Sequence, residues 1–342
     1  MSRARRIVTS AAVVALLLTY PFTSADAASS TWTSHGPMHA DIHAVAIAPS
    51  SPSTVYAGGL NRDFSESLFK STDGGAHWSA TSLDKPSVRT IAVDPLNPDI
   101  VYANNGARHV YKTTDGGTTW KSVGPVANDV WTLVADPVTS GTVYAGSKHG
   151  VFKTTNGGIG AWTQMIDGLG EQTVQALAID PSDPSMIYAG TKLGGVFVSA
   201  DGAETWSPVR QGLTDSNIHA LAIAPSAQGT VYAGTESSGV FVTSDGGANW
   251  TPVSDGITVP FVTALIVDPG DANVVYAGTE GGGAFLTTNG GDQWDPWNEG
   301  LRSLFVEALA FDPLSATIHA GTTDPDFPSS TVRRAVFERA AL

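Results

Sequence analysis

A unit of about 44 residues is written seven times along this chain, and that periodicity constrains its fold more than any other feature. The clearest mark is an apolar run that closes on proline: AVAIAP, TIAVDP, TLVADP, ALAIDP, ALAIAP, ALIVDP and ALAFDP. The prolines are Pro49, Pro95, Pro137, Pro181, Pro225, Pro269 and Pro313, at steps of 46, 42, 44, 44, 44 and 44. A Y-A-G mark or a variant of it follows at Tyr56, Tyr102, Tyr144, Tyr188, Tyr232, Tyr276 and His319. A third short run comes next, from SLFKS through GVFVS to AVFER, and then a Gly-rich turn ending on Trp78, Trp120, Trp162, Trp206, Trp250 or Trp294. Each unit therefore reads as four short strands, a to d, punctuated by Gly, Pro, Asn and Asp. Helical repeats of this length would place apolar residues three and four apart, and these runs do not. Four strands in about 44 residues are the signature of a propeller blade. In the a strands both faces are apolar or small, as in Val174, Ala176 and Ala178 against Leu177 and Ile179; a strand covered on both sides reads that way.

The count of strands predicts how the ring closes. Strands a, b and c occur seven times but d follows c only six times. Thr31-Trp32-Thr33 looks like the missing d strand, comparable to Thr205-Trp206-Ser207. The expected fold is an all-β, seven-bladed β-propeller of four-stranded blades, with the N-terminal strand completing the last blade beside residues 335–339. Such pairing removes an open sheet edge. The repeats override the two-domain prior that 342 residues would suggest, and residues 28–342 are expected to form a single domain.

The first 27 residues read as an address. Arg3, Arg5 and Arg6 precede an apolar run from Ile7 to about Phe22, and Ala25-Asp26-Ala27 supplies a cleavage signal. Thr9, Ser10, Thr19 and Pro21 interrupt the run, which favours an exported signal peptide over a membrane anchor. The expected location is secreted or periplasmic, after cleavage near Ala27, with no membrane insertion. The chain has no cysteine, so disulfides and thiolate chemistry are excluded. Eighteen Lys and Arg face 32 Asp and Glu, for a net charge of -14; with no basic stretch after the first residues, nucleic-acid binding is not expected.

The turns before the tryptophans read STDGGAHW, TTDGGTTW, TTNGGIGAW, SADGAETW, TSDGGANW and TTNGGDQW. Their short carboxylate or amide can accept bonds from the turn's own N–H groups. With six copies of S/T-x-D-x-G-x-x-W, the chain resembles the Asp-box (BNR-repeat) propellers over residues 28–342. That superfamily includes sialidases, xyloglucan-degrading glycosidases, sortilin-type receptors and photosystem II stability/assembly factors. The resemblance implies that the boxes are structural and peripheral. The F-R-I-P of sialidases and the cysteine-rich modules of the receptors are absent. The architecture is nearest to the photosystem factors and to one domain of the xyloglucanase type. The photosystem factors carry a basic patch and often a lipid anchor, whereas this chain is acidic and lacks cysteine.

Candidate functional positions are those where the repeats disagree, because function lives in sites grafted on folds. The second residue of strand a varies sharply: His43, Arg89, Trp131, Gln175, His219, Thr263 and Glu307. So does the slot two residues earlier: Asp41, Ser87, Asp129, Thr173, Asn217, Phe261 and Phe305. Strand a is innermost in a propeller, so these residues should ring one mouth of the channel. The b–c loops should reach the same face with Asn61, Arg62, Asp63, Glu66, Asn105, Arg108, His109, Lys148, His149, Lys192, Glu236, Glu280, Asp324 and Asp326. The mixture suits a polar ligand such as a glycan or peptide; a solvated loop rim is the plain alternative. His35, His39 and His43 are four apart, but that spacing aligns ligands only on a helix, and His39 with His109 and His149 is a weak set, so no metal or other cofactor is expected. The leading expectation is a non-catalytic binding or scaffold propeller for a glycan, peptide or protein. The alternative is a glycoside hydrolase using Asp41 and Glu307, neighbours around the ring, as a pair of carboxyl groups about 5 to 9.5 Å apart. Asp63 and Asp129 are weaker candidates for that role.

Overall fold

The computed structural model describes residues 31–37, 40–61, 67–85, 87–105, 107–126, 129–323 and 336–341. The expected signal peptide and the candidate residues His39, Arg62, Asp63, Glu66, Asp324 and Asp326 lie outside them. Within the described residues the chain forms seven four-stranded antiparallel sheets and no helix. Blade 4 shows the plan, with strand a at Val174–Ile179, b at Ile187–Thr191, c at Gly195–Ser199 and d at Ser207–Pro208. Leu177 pairs with Ala189, Ala189 with Phe197, and Phe197 with Pro208. Six blades repeat this order. In the seventh, Thr33–Gly36 pairs with Val336–Ala340 outside Thr317–Thr323 and Phe305–Asp312, as the strand count predicts. Strand a of blade 1 packs on strands a and b of blade 7, which closes the ring.

The core lies between blades rather than inside them. Tyr144, Val151, Met165 and Leu169 of blade 3 form one buried cluster with Val174, Leu177, Ile187, Phe197 and Trp206 of blade 4. The box tryptophans insert into these seams, and the indole N–H groups of three of them reach back one blade, while those of Trp78, Trp120 and Trp206 are buried without a partner among the described residues. Trp162 donates to Val123 O at 2.9 Å, Trp250 to Val209 O at 2.8 Å and Trp294 to Val253 O at 2.7 Å. Trp32 does the same toward Trp297 O at 2.5 Å, so the N-terminal segment reproduces the tryptophan anchor as well as the strand.

The glycine of Y-A-G is set by the neighbouring blade. A Cβ on Gly190 would stand 2.7 Å from Ile218 Cγ2, and one on Gly234 would stand 2.6 Å from Val262 Cγ1. Gly58, Gly146, Gly278 and Gly321 meet Val88, Val174, Val306 and Ile42 in the same way. Only a residue without a side chain lets the inner strands approach this closely. Blade 2 places Asn104 there instead, and its buried amide turns onto its own loop, donating to Ala107 O and His109 O at 2.8 Å each. The d–a links carry a second glycine requirement that the repeat marks above do not include. Gly168, Gly212, Gly256 and Gly300 all have positive φ, and a Cβ there would meet the backbone oxygen of Trp206, Trp250, Trp294 and Trp32 at 2.0 to 2.3 Å.

The Asp-boxes are closed hydrogen-bonding turns. Asp201 Oδ1 accepts from Ser199 Oγ at 2.7 Å and from the Thr205 N–H at 2.9 Å, and the Ala203 N–H donates to Ser199 Oγ at 2.8 Å. In each of the six boxes, a backbone N–H also donates to a carbonyl of the a–b turn in the same blade, as from Gly202 to Ser185 at 3.0 Å and from Gly246 to Gly229 at 2.9 Å. In blade 7 the Ala341 N–H takes that role, donating to Ala316 O at 2.7 Å.

Candidate functional site

The seven non-repeating residues of strand a converge. His43, Arg89, Trp131, Gln175, His219, Thr263 and Glu307 all line one axial cavity of about 270 Å³, together with the small and apolar residues that follow them. The cause is a defect in the sheets. In six blades the a–b register shifts at this position: between Ile42 and Ala44, Val130 and Thr132, Val174 and Ala176, Ile218 and Ala220, Val262 and Ala264, and Val306 and Ala308. A bulge sets two residues against one and re-aims a side chain. The first residue of each shifted pair packs on the preceding blade, and the extra residue faces the axis. In blade 2, Arg89 directly precedes the strand Thr90–Val93, and its N–H donates to Asn104 O at 2.9 Å.

Above this ring the b–c turns fold onto the second variable slot. The N–H of Lys148 donates to Asp129 O, that of Lys192 to Thr173 O, that of Glu236 to Asn217 O and that of Glu280 to Phe261 O, at 2.8 to 3.1 Å. Phe305 pairs with Thr323 and forms a bridge with Glu280. The two variable slots and the turns therefore form one mouth. Lys148 Nζ is 3.9 Å from Asp129 Oδ2, and His149 Nδ1 is 3.5 Å from Glu171 Oε2. The ring of His219 lies 4.6 Å from that of Phe261. Of the other predicted residues, Asp129, His149, Lys192, Phe261 and Phe305 stand at the mouth and do not line the cavity itself, and Arg108 and His109 do not line it either. Arg108 is exposed on its loop, and His109 sits in strand c with Nδ1 3.1 Å from Ser122 Oγ on strand d.

Burial sets the charge states inside the mouth. Desolvation, with Arg89 nearby, brings His43 down to about 4, so the ring is neutral at physiological pH. Burial also lowers His219, against the pull of Glu236. The Gln175 amide lies 3.5 Å from His219 Nδ1, and Glu236 Oε2 lies 3.8 Å from Nε2. Glu307 is raised above the ordinary carboxylate range, first by burial and then by Glu280, with Asp41 adding to the effect; Thr323 and Arg89 oppose it. Asp41 itself is buried and is not among the residues lining the cavity. Larger clefts, up to about 600 Å³, lie at the rim between neighbouring boxes, as at Lys153, Asn156, Gln164 and Glu204. Among the described residues no group of three or more His, Asp or Glu is placed to hold a metal ion.

The bulge is what sequence reading misses. No residue type marks it, and only the abrupt variation after a constant Val or Ile points to the position. The two glycine contacts, by contrast, leave recurring letters.

Solved structures share this architecture. A GH74 enzyme from Niastella koreensis matches with 19% identity and a TM-score of 0.66, over 90% of this chain and 53% of that one. A structure of YCF48 bound to D1 peptide matches with 14% identity and a TM-score of 0.66, over 91% of this chain and 97% of that one. YCF48 from Cyanidioschyzon merolae gives 14% identity and a TM-score of 0.67, over 91% and 98%. This chain thus spans about half the length of the GH74 enzyme and nearly all of the YCF48 chains. No curated protein matches the sequence. Residues 65–282 match the family described as photosynthesis system II assembly factor YCF48, and the chain belongs to that family.

Proposed function

We propose that the chain is a non-catalytic binding propeller, exported from the cytoplasm, whose channel mouth takes a segment of a protein partner. The observation that carries this reading is the gathering of seven side chains of six kinds on the axis, six of them through a bulge repeated in their blades, while positions shared by the blades are occupied in holding the ring. The mouth combines an exposed indole, neutral imidazoles, an amide, a guanidinium and carboxylates, a mixture suited to backbone and side-chain groups of a peptide. The YCF48 structure with D1 peptide supports a peptide over a glycan as the ligand class. A ligand search with displayed peptides should recover binders that Trp131→Ala weakens at least tenfold. Failure to recover any binder from a library covering the protein's own extracytoplasmic proteome would refute the reading.

The raised carboxyl of Glu307 favours a second reading, a glycoside hydrolase, because a general acid needs its proton near neutral pH. The likeness to GH74 folds is compatible with it. Incubation with a polysaccharide panel decides between them: release of reducing ends that both Asp41→Asn and Glu307→Gln abolish would replace the first reading with the second.

A further inference from the structure

The mouth has an electrical polarity that the repeat does not impose. At the turn residue whose N–H bonds the second variable slot, blades 3 and 4 carry Lys148 and Lys192, whereas blades 5 and 6 carry Glu236 and Glu280. The same backbone position therefore changes sign halfway round the ring. The residues on the axis extend each half, with Arg89 in blade 2 beside the cationic pair and Glu307 in blade 7 beside the anionic pair. Asp129, 3.9 Å from Lys148, and Glu171, 3.5 Å from His149, temper the cationic half. Asp215 deepens the anionic half, accepting from the N–H and Oγ of Ser237 at 2.9 and 2.7 Å on the blade 5 turn.

The cationic half also presents apolar surface. Trp131 is 44% exposed and Leu193 is 73% exposed. Leu193 has φ 69, in the left-handed region, which strains a residue with a side chain. The next two blades place Ser237 and Gly281 at that turn position. A strained leucine held out in solvent next to Lys192 gains nothing from folding, and strain of this kind collects where ligands are clamped.

We propose that the mouth binds an extended peptide segment of a protein partner in one polarity, an acidic residue with an adjoining apolar side chain over blades 2–4 and a basic residue over blades 5–7. This rests on the reading of the mouth as a peptide site and specifies the peptide. Opposite fields on the two halves steer and orient such a segment, and they repel one that carries the charges reversed.

The test uses the full chain and fluorescein-labelled ten-residue peptides read by anisotropy at low and moderate salt. One peptide carries two glutamates and a leucine at one end and two lysines at the other, joined by glycine and serine. A second has the same composition with the charges alternated, and both are made in each chain direction. The polar peptide is expected to bind at least tenfold more tightly in one direction than the alternated control. The double variants K148E/K192E and E236K/E280K should each weaken it at least fivefold. Leu193→Ser should weaken it, and should leave unchanged a version of the peptide with serine in place of leucine. All of these residues are exposed, so circular dichroism should be unaltered; because Glu236 also accepts from the Asn217 amide, E280K alone, whose melting temperature should be unaltered, is measured beside the double variant and should weaken the peptide in the same direction. Equal affinity for the alternated peptide, or indifference to both charge reversals, overturns the polarity. If displayed peptides still bind and depend on Trp131, the peptide site stands without it; if no peptide binds, both readings fall.

Discussion

At the scale of single residues, the ring is governed by how closely neighbouring blades approach. Gly190 has an ordinary extended backbone, so replacement by alanine would normally gain stability in a strand, by about 0.5–1 kcal/mol. Here the added Cβ meets Ile218 Cγ2 at 2.7 Å and Ala176 Cβ at 3.3 Å. Ile218 is fully buried and has no room to retreat. Overpacking of this kind costs about 1–3 kcal/mol, which exceeds the gain. Gly190→Ala is therefore expected to lower the denaturation midpoint without changing the slope of the transition. A midpoint equal to that of the wild type would show that the blades are looser than the contact distances require.

At the scale of elements, the Asp-box turns are acid-sensitive fasteners. Asp73, Asp115, Asp201 and Asp245 are each held down at about 2 by hydrogen bonds; those from Thr205 act on Asp201 and that from Asn249 on Asp245. A carboxylate lowered on folding stabilises fully above its unfolded value of 3.8, and that stabilisation is lost as pH falls toward 2. Blades 3 and 6 use Asn156 and Asn289, whose amide oxygens accept from the hydroxyls of Thr154 and Thr287 at 2.9 and 2.7 Å and carry no proton equilibrium. Asp201→Asn is thus expected to keep the turn and to reduce the slope of stability against pH between about 4 and 2. An unaltered slope would mean that the boxes do not contribute to acid unfolding. These elements are legible in the sequence alone, because strand, turn and box each recur with the same letters, and so is the latch, because Thr31-Trp32-Thr33 copies the box ending. The candidate site was legible only in part. Variation at one slot pointed to the axis, but the bulge that turns those side chains inward has no letter of its own. His109 reads like a rim residue from its place in the loop, yet pairing with Pro125 puts it in strand c.

At the scale of the molecule, the seam between blades 7 and 1 differs chemically from the other six. Elsewhere a tyrosine of the b strand reaches into the next blade, as Tyr188 does to Gly246 O at 3.3 Å and Tyr232 to Gly290 O at 3.4 Å. In the first three blades a lysine of strand c lies over that ring, 5.2 to 5.5 Å from its centroid. At the closing seam His319 replaces the tyrosine and Glu338 replaces the lysine, with His35 Nε2 3.2 Å from Glu338 Oε1. His319 is buried, its Nδ1 has no hydrogen-bond partner, and desolvation lowers its pKa from 6.5 to about 4 against the attraction of Asp312. The unfolded chain therefore takes up a proton that the closed ring refuses. Stability is fully present above pH 6.5 and falls as pH drops from 6.5 to about 4, by about 3 kcal/mol at most from this group. That window lies above the one in which the boxes titrate, so the two are separable. His319→Tyr restores the residue used by the other blades and places its hydroxyl toward the first box at Gly74. It is expected to reduce, without abolishing, the slope of stability between pH 6.5 and 4, because His43, lowered to about 4 in the mouth, and His219 act in the same window, and to leave the loss below pH 4 in place. Chemical denaturation at half-unit pH steps reads both windows, and a variant whose upper slope equals that of the wild type would locate the mild-acid sensitivity outside the seam.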